Sequence, residues 1–252
     1  MDPTKRFSDR VADYVRYRPD YPPAVLDRLA ERFSASPDVV DVVDVGAGTG
    51  IWTRQMADRG WAVTAVEPND AMRKACEAAA EETPGIRVIN AGAESTGLPD
   101  GCADLVTAAQ AFHWFDPDAA LREFRRLLRP GGFVALLWNS RQTDTTVFLR
   151  DYERMLQDFA TDYGQVNHQR FEDGRLSQMI PDGYALWECP HVQSFDFAGL
   201  CGRLLSSSYA PPAGHPNHHA MLDRLREVFE THEENGRVEF RYTTQLYTGR
   251  PI

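Results

Sequence analysis

Apolar residues follow two different spacings along this chain. Short runs rich in valine, isoleucine and leucine end in a glycine or a polar residue, and between them lie longer stretches in which apolar residues return every three or four positions. The short runs predict buried strands, and the longer stretches predict helices with one apolar face. Strands that alternate with helices in this way indicate an α/β domain built on a mostly parallel sheet.

The alternation is clearest between residues 38 and 139. Five strands are predicted there, at 39–45, 62–66, 86–89, 104–109 and 133–138. The helices predicted between them lie at 51–58, 70–82 and 117–128. Asn69 or Asp70 can cap the second of these helices. Residues 129–132, a run of Arg, Pro, Gly and Gly, predict a turn that ends the third helix and precedes the fifth strand.

The order of elements changes after residue 139. The pattern predicts a helix at 144–163, a strand at 184–195, helices at 200–208 and 217–235, and a strand at 237–248. At the other end of the chain, residues 1–36 read as two helical pieces separated by prolines. The helices in these flanking regions are additions to an α/β core.

The most informative stretch runs from Asp44 to Gly50, with glycine at positions 46, 48 and 50. It joins a predicted strand to a helix, so its glycines suit a tight turn at which the backbone approaches a ligand. A dinucleotide-binding loop would need its third glycine at position 51, which is Ile51. The spacing resembles the first motif of the class I S-adenosyl-L-methionine (SAM)-dependent methyltransferases. The residues that the resemblance places against SAM here are Gly46, Ala47 and Gly48.

This resemblance implies an organisation for the whole chain. We expect one α/β domain, 1–252, with a doubly wound, mostly parallel, seven-stranded Rossmann-like methyltransferase sheet and helical cap insertions. The final strand would be antiparallel. The expected parts are an N-terminal helical lid at 1–36, a SAM-binding core at 38–139, cap segments at 144–180 and 198–235, and the final strand at 237–248.

An acid ends the second predicted strand. Glu67 follows the first glycine of the turn by about twenty residues, the spacing expected for a carboxylate that accepts hydrogen bonds from both ribose hydroxyls. Dehydrogenases share this feature, so it indicates nucleoside binding without identifying the cofactor. Pro68 follows directly and joins the expected cofactor site. A carboxylate that merely caps the next helix is the alternative.

Two further stretches resemble parts of a methyltransferase cofactor site. Ala93 and Glu94 follow the third strand, where the resemblance implies contact with the adenine. Other members often carry an aspartate where Ala93 stands, so any contact from Ala93 must come from its backbone, and Glu94 could instead lie in an exposed loop. Gln110 follows the fourth strand at the point where ligands bind in doubly wound sheets.

The N-terminal segment carries an aromatic residue and an arginine, Tyr14 and Arg18. In similar methyltransferases such residues come from a helix that folds over the methionine end of SAM. The resemblance therefore implies that Tyr14 and Arg18 reach the cofactor. The alternative is that both residues serve surface and packing roles.

His113 is the candidate catalytic residue. The residues from Ala109 to Phe115 resemble a subgroup that acts on small molecules, similar to trans-aconitate and juvenile hormone acid methyltransferases, in which a histidine-tryptophan pair follows the fourth strand. A hydroxyl acceptor must lose a proton, and a histidine titrates near neutrality; a carboxylate acceptor needs no base. His113 could therefore be a base, a contact for an anionic substrate, or a packing residue.

Composition limits the partners. The net charge of −10 argues against a nucleic-acid partner. The four cysteines are scattered and the first residues lack a secretory apolar core, so we expect a cytoplasmic protein with no membrane and no metal site. We predict SAM as cofactor, S-adenosyl-L-homocysteine (SAH) as product, a small-molecule acceptor methylated at a carboxylate or hydroxyl oxygen, and a monomer or homodimer. The alternatives are a SAM-binding protein with changed chemistry and a nucleotide-dependent oxidoreductase.

Overall fold

A seven-stranded sheet forms the centre of the protein. The structure, a computed structural model, describes residues 11–33, 40–161, 163 and 183–250. Its strands are β1 (Asp41–Val45), β2 (Ala62–Val66), β3 (Ile86–Ile89), β4 (Ala103–Ala109), β5 (Leu128–Arg141), β6 (Tyr184–Phe195) and β7 (Val238–Gly249). The order across the sheet is β3-β2-β1-β4-β5-β7-β6, and β7 is antiparallel to both of its neighbours. The predicted doubly wound sheet with an antiparallel final strand is confirmed.

Helices lie against this sheet and beyond its end. They are α1 (Val11–Tyr17), α2 (Pro23–Ala30), α3 (Ile51–Asp58), α4 (Asp70–Glu82), α5 (Pro117–Leu127), α6 (Val147–Phe159), α7 (Phe197–Leu205) and α8 (Asn217–His232). The start of α4 shows how the sequence sets a boundary. The side chain of Asn69 accepts hydrogen bonds from the N–H groups of Ala71 and Met72, so Asn69, rather than Asp70, is the cap.

The two faces of the sheet bury different helices. One face packs apolar residues of β1, β2, β4 and β5 against α2 and α3, including Leu29, Trp52 and Met56. The other face packs α5 through Phe124 and Leu127. Because a buried large apolar side chain stabilises the fold by about 1.5–3 kcal/mol, these two layers hold the strand ends in fixed positions.

A third apolar cluster lies beyond the end of the sheet. It packs α6, α7 and α8 against the first half of β7 and is centred on Tyr152, Phe240 and Tyr242. We call α6, α7 and α8 the cap helices. Part of the predicted 144–180 cap segment lies outside the described residues, and the division of the chain into lid, core and cap stays a prediction.

One predicted turn is wrong. The helix α5 does end at Leu127, but residues 129–132 belong to β5, which begins at Leu128. The pairing of β5 with β4 is irregular around these residues, because Ala103 pairs with Leu128 whereas Leu105 pairs with Phe133. A Cβ on Gly132 would lie 3.0 Å from a carbonyl oxygen of the neighbouring strand, so glycine here serves close strand approach rather than a free turn.

Candidate active site

Three loops meet at the carboxyl edge of the sheet. The glycine turn follows β1, Glu67 follows β2, and Gln110 follows β4. The three strands are parallel neighbours, with β1 paired to both β2 and β4. The strand order reverses between β1 and β4, which is where ligands bind in this class of sheet. The predicted site residues on these loops are therefore brought to one edge.

The two glycines at the start of the first loop are glycine for different physical reasons. Gly46 and Gly48 both have positive φ, at 70° and 59°. A Cβ on Gly46 would lie 2.6 Å from the Cβ of Ala111, so the fold itself excludes a side chain there. A Cβ on Gly48 would meet nothing within 4 Å, so this face of the loop is open to a ligand. The N–H groups of Gly46 and Ala47 both donate to the carbonyl of Val66, which turns the loop toward β2.

Glu67 is built into this loop. One carboxylate oxygen accepts the N–H of Gly48 at 2.8 Å, and the other accepts the N–H of Asn69 at 2.8 Å. Each oxygen keeps acceptor capacity, so the carboxylate can also accept two hydroxyl donors. Burial raises the pKa of Glu67, and the Asn69 and Gly48 bonds oppose that rise. Pro68 follows half-buried, and its carbonyl accepts from Arg73 at 3.4 Å.

Asp44 is a site residue that the sequence reasoning used only as part of a motif. It is 1% exposed and lies at the end of β1. Its carboxylate accepts hydrogen bonds from the hydroxyls of Thr53 at 2.6 Å and Thr107 at 2.9 Å. Burial nevertheless raises the pKa of Asp44 to about 6. The charge is thus under-compensated by the protein, which favours a cationic ligand nearby.

Gln110 adopts a left-handed backbone conformation, which residues other than glycine rarely adopt. Its φ is 53°, and its side-chain amide donates to the carbonyl of Asn139 at 3.0 Å. The amide oxygen is buried and has no hydrogen-bond partner among the described residues. Such strain at a strand end is typical of functional positions. Asn139, which the sequence reasoning passed over, also donates to the carbonyl of Asp20 and so connects the N-terminal segment to this site.

The predicted adenine residues lie in the loop after β3. Ala93 is buried, whereas Glu94 is exposed. A carboxylate oxygen of Glu94 accepts the N–H of Asp116 at 3.0 Å, which connects this loop to the start of α5. Glu94 therefore has a positioning contact of its own, and a contact of Ala93 or Glu94 with adenine stays a prediction.

Tyr14 and Arg18 lie against the cap helices. Arg18 donates to the carbonyl of Ser206 at 2.9 Å, and its guanidinium lies 4.8 Å from the ring centroid of Tyr14. Burial, and then the charge of Arg203, lower the pKa of Arg18. The N-terminal segment thus rests on α7 and is also held through Asp20. A contact of Tyr14 or Arg18 with a cofactor stays a prediction.

His113 lies in the short 3₁₀ helix Phe112–Trp114 that follows β4. Its ring centroid is 4.8 Å from that of Trp114, at an interplanar angle of 47°. Ala111, which lies two residues before His113, packs against Gly46. His113 is therefore fixed close to the glycine loop, and its role as base, substrate contact or packing residue stays a prediction.

Comparisons with known proteins decide the family. Residues 43–136 match the family model described as a methyltransferase domain. An uncharacterized methyltransferase of Mycobacterium tuberculosis is 30% identical over 234 residues, which cover 92% of this chain and 88% of that protein. The chain belongs to the methyltransferase family. A second relative, an uncharacterized methyltransferase of Schizosaccharomyces pombe, is 27% identical over 98% of both chains. A malonyl-[acyl-carrier protein] O-methyltransferase of Geobacter sulfurreducens is 34% identical over 137 residues, 51% of this chain and 49% of that protein.

Solved structures agree on the fold of this methyltransferase. An Anaeromyxobacter dehalogenans protein, provisionally described as a type II methyltransferase, has a TM-score of 0.68. It is 23% identical and covers 93% of this chain and 98% of its own. Family and fold together make the chain a SAM-dependent methyltransferase. The oxidoreductase alternative is thereby disfavoured, as Ile51 in place of a third glycine predicted.

The carboxyl edge fits SAM. Four features of this edge suit a cationic nucleoside. They are the open face at Gly48, the spare acceptor capacity of Glu67, the under-compensated charge of Asp44 and the free amide oxygen of Gln110. Over the ranges that the structure describes, no three His, Cys, Asp or Glu side chains gather as metal ligands. None of the helices described is both long and apolar enough to cross a bilayer.

Proposed function

We propose that this methyltransferase transfers a methyl group from SAM to an oxygen of a small-molecule acceptor. The observation that carries the proposal is the contact between the loop after β4 and the glycine loop, through Ala111 and Gly46. It supports a placement of His113 beside the reacting methyl group. The Geobacter relative that is named as an O-methyltransferase adds support for an oxygen acceptor. Membership of the trans-aconitate-like subgroup stays a prediction.

The cofactor-binding roles follow from the loops of the carboxyl edge. Glu67 would accept the ribose hydroxyls, and the open face of Gly48 would lie against the methionine part. Asp44 would supply negative charge beneath a cation, and Gln110 would donate or accept at the cleft. Two hydrogen bonds to a charged carboxylate are each worth about 1.5–3 kcal/mol, which makes Glu67 the strongest single contact.

Catalysis needs little from the chain beyond orientation. Bound SAM supplies a methyl group on a sulfonium, which is a good leaving group. Holding the acceptor in line can contribute about 7–11 kcal/mol. His113 would remove the proton of a hydroxyl acceptor, or contact an acceptor that is already ionised.

The proposal extends to the partners of the enzyme. A net charge of −10 supports a small molecule rather than a nucleic acid as substrate. A cytoplasmic location and a monomeric or homodimeric state stay predictions. Both are open to direct measurement by fractionation and by light scattering.

SAH release tests the proposal. Purified enzyme is incubated with SAM and panels of small carboxylic acids, hydroxy compounds and amines. We expect SAH release with acids or hydroxy compounds, and a loss of turnover in His113→Ala but not in His219→Ala, whose histidine is exposed on α8. SAH release with amines alone would contradict the oxygen acceptor. Equal activity of the His113→Ala and His219→Ala variants would contradict the role of His113.

A further inference from the structure

Three arginines from separate elements lie together where the cap helices meet the sheet. Arg18 follows α1, Arg141 ends β5, and Arg203 lies in α7. The guanidinium carbons of Arg141 and Arg203 each lie 5.9 Å from the ring centroid of Phe240. The charge of Arg203 acts on Arg18. We call these three residues the arginine cluster.

The cluster is buried and incompletely bonded. Arg203 is 6% exposed, and the side chain of Arg141 is 11% exposed. Arg203 donates to the hydroxyls of Tyr242 at 3.3 Å and Ser207 at 3.0 Å. Nε of Arg18 and Nη1 of Arg141 are buried and have no hydrogen-bond partner among the described residues. Two charged donors therefore point at no acceptor within the described chain.

The cluster also carries surplus positive charge. In the part of the chain that the structure describes, Glu153 is the carboxylate that pairs with it, through Arg141. Three guanidiniums and one carboxylate leave two positive charges. Burying a charge without a partner is costly, and a structural role alone would favour fewer arginines. Burial raises the pKa of the nearby Tyr209 phenol, but the charges of Arg203 and then Arg141 lower it, and the net shift is downward.

The cluster adjoins the candidate active site. Arg141 lies two residues beyond Asn139 on the same strand, so both side chains lie on one face of β5. The carbonyl of Asn139 accepts the side chain of Gln110, and its amide donates to the segment that carries Arg18. The cluster therefore lies on the cap side of the cleft into which the acceptor would enter.

We propose that the arginine cluster binds the carboxylates of a small dicarboxylic acid, which serves as the methyl acceptor. This inference rests on the proposed function and names its substrate class. Each planar carboxylate can accept paired N–H donors from a guanidinium fork. The charge of a dicarboxylate equals the two surplus positive charges. The sequence marked Arg18 only as a residue that could reach the cofactor, and no motif marked Arg141 or Arg203.

Binding of malonate tests the cluster without any methyl transfer. Calorimetry would compare malonate, malonamide, inorganic phosphate and sulfate at matched ionic strength. We expect malonate to bind more tightly than the other three, and at least tenfold less tightly in Arg203→Gln. Arg154→Gln is the matched control, since Arg154 is 68% exposed on α6, and it should bind malonate as the wild type does. Arg141→Lys and Arg18→Gln repeat the test if Arg203→Gln does not fold.

Three results would overturn the proposal. Phosphate or sulfate binding as tight as malonate binding would exclude a carboxylate site. Unchanged malonate affinity in the cluster variants, with SAM binding weakened more than tenfold in Arg203→Gln, would assign the cluster to the cofactor. A tyrosinate absorbance band near neutral pH that Tyr209→Phe removes, without malonate binding, would identify Tyr209 as the counter-ion. Malonate binding that depends on the arginines supports the carboxylate site, whichever acid is methylated. Absence of SAH release with every oxygen acceptor would contradict the proposed function but not the carboxylate site.

Discussion

The substitution Asp44→Asn should stabilise the ligand-free enzyme and lower its affinity for SAM. Asp44 is 1% exposed, and burial raises its pKa from 3.8 to about 6. A rise of about two pKa units corresponds to about 3 kcal/mol of unfavourable ionisation in the folded state. The side-chain oxygen of an asparagine can still accept a hydrogen bond from one of the two threonine hydroxyls, and its NH2 group can donate a hydrogen bond to the other hydroxyl. Most of this free energy should therefore be recovered.

The sign of the pH dependence follows from proton binding. Between about pH 4 and pH 6 the folded carboxyl holds a proton that the unfolded chain has released. The contribution of Asp44 to stability is therefore full below about pH 4 and is lost as the pH rises through about 6. Above pH 6 the wild type carries the whole cost, so the advantage of Asp44→Asn should be largest at pH 7.5.

Urea unfolding at pH 4, 5, 6 and 7.5 measures this directly. We expect Asp44→Asn to exceed the wild type by about 2–3 kcal/mol at pH 7.5 and by much less at pH 4. Asp58→Asn is the control, because Asp58 is exposed at the end of α3 and should change little. SAM affinity should fall in Asp44→Asn because the buried negative charge is gone. An Asp44→Asn enzyme that is less stable than the wild type at pH 7.5 would refute the reasoning.

The remaining predictions concern the glycine loop, the lid and His113. Gly48→Ala should cost about 1–2 kcal/mol of backbone strain, whereas Gly46→Ala should cost more because its Cβ clashes with Ala111; urea unfolding checks both, and equal costs would contradict the packing argument. Hydrogen exchange in residues 11–21 should slow when SAH is added, and unchanged exchange would return Tyr14 and Arg18 to packing roles. If His113 is a general base, His113→Ala should lower turnover by about 10²–10⁴ and remove the rising limb of the pH profile. Acceptor KM would rise instead if His113 only positions the acceptor.

The sequence predicted the core because its signals there are local. Strand, glycine turn, helix and terminal acid follow one another between Asp44 and Glu67, and each step has its own residue pattern. The same reasoning could not separate Gly46 from Gly48. Their difference depends on Ala111, which is remote in the chain and meets only one of them.

The cap shows where sequence reasoning ends. Arg18, Arg141 and Arg203 meet only because β5 extends to Arg141 and α7 folds over it, and no spacing in the chain encodes that meeting. The strand structure of residues 129–132 also depends on contacts that are remote in the chain. Arg, Pro and Gly are typical of a turn, but the pairing of Leu128 with Ala103 and of Phe133 with Leu105 places the residues between them within strand β5.

The most direct test of the cofactor site is calorimetry of SAM on Glu67→Ala. Glu67 is buried and accepts a hydrogen bond from the N–H of Gly48 in the glycine loop, so we expect SAM affinity more than tenfold weaker than in the wild type, with a circular dichroism spectrum close to that of the wild type. Glu77→Ala is the matched control, since Glu77 is half exposed on the neighbouring α4, and it should bind SAM normally. SAM affinity within twofold of the wild type in Glu67→Ala would contradict the account and place the ribose elsewhere.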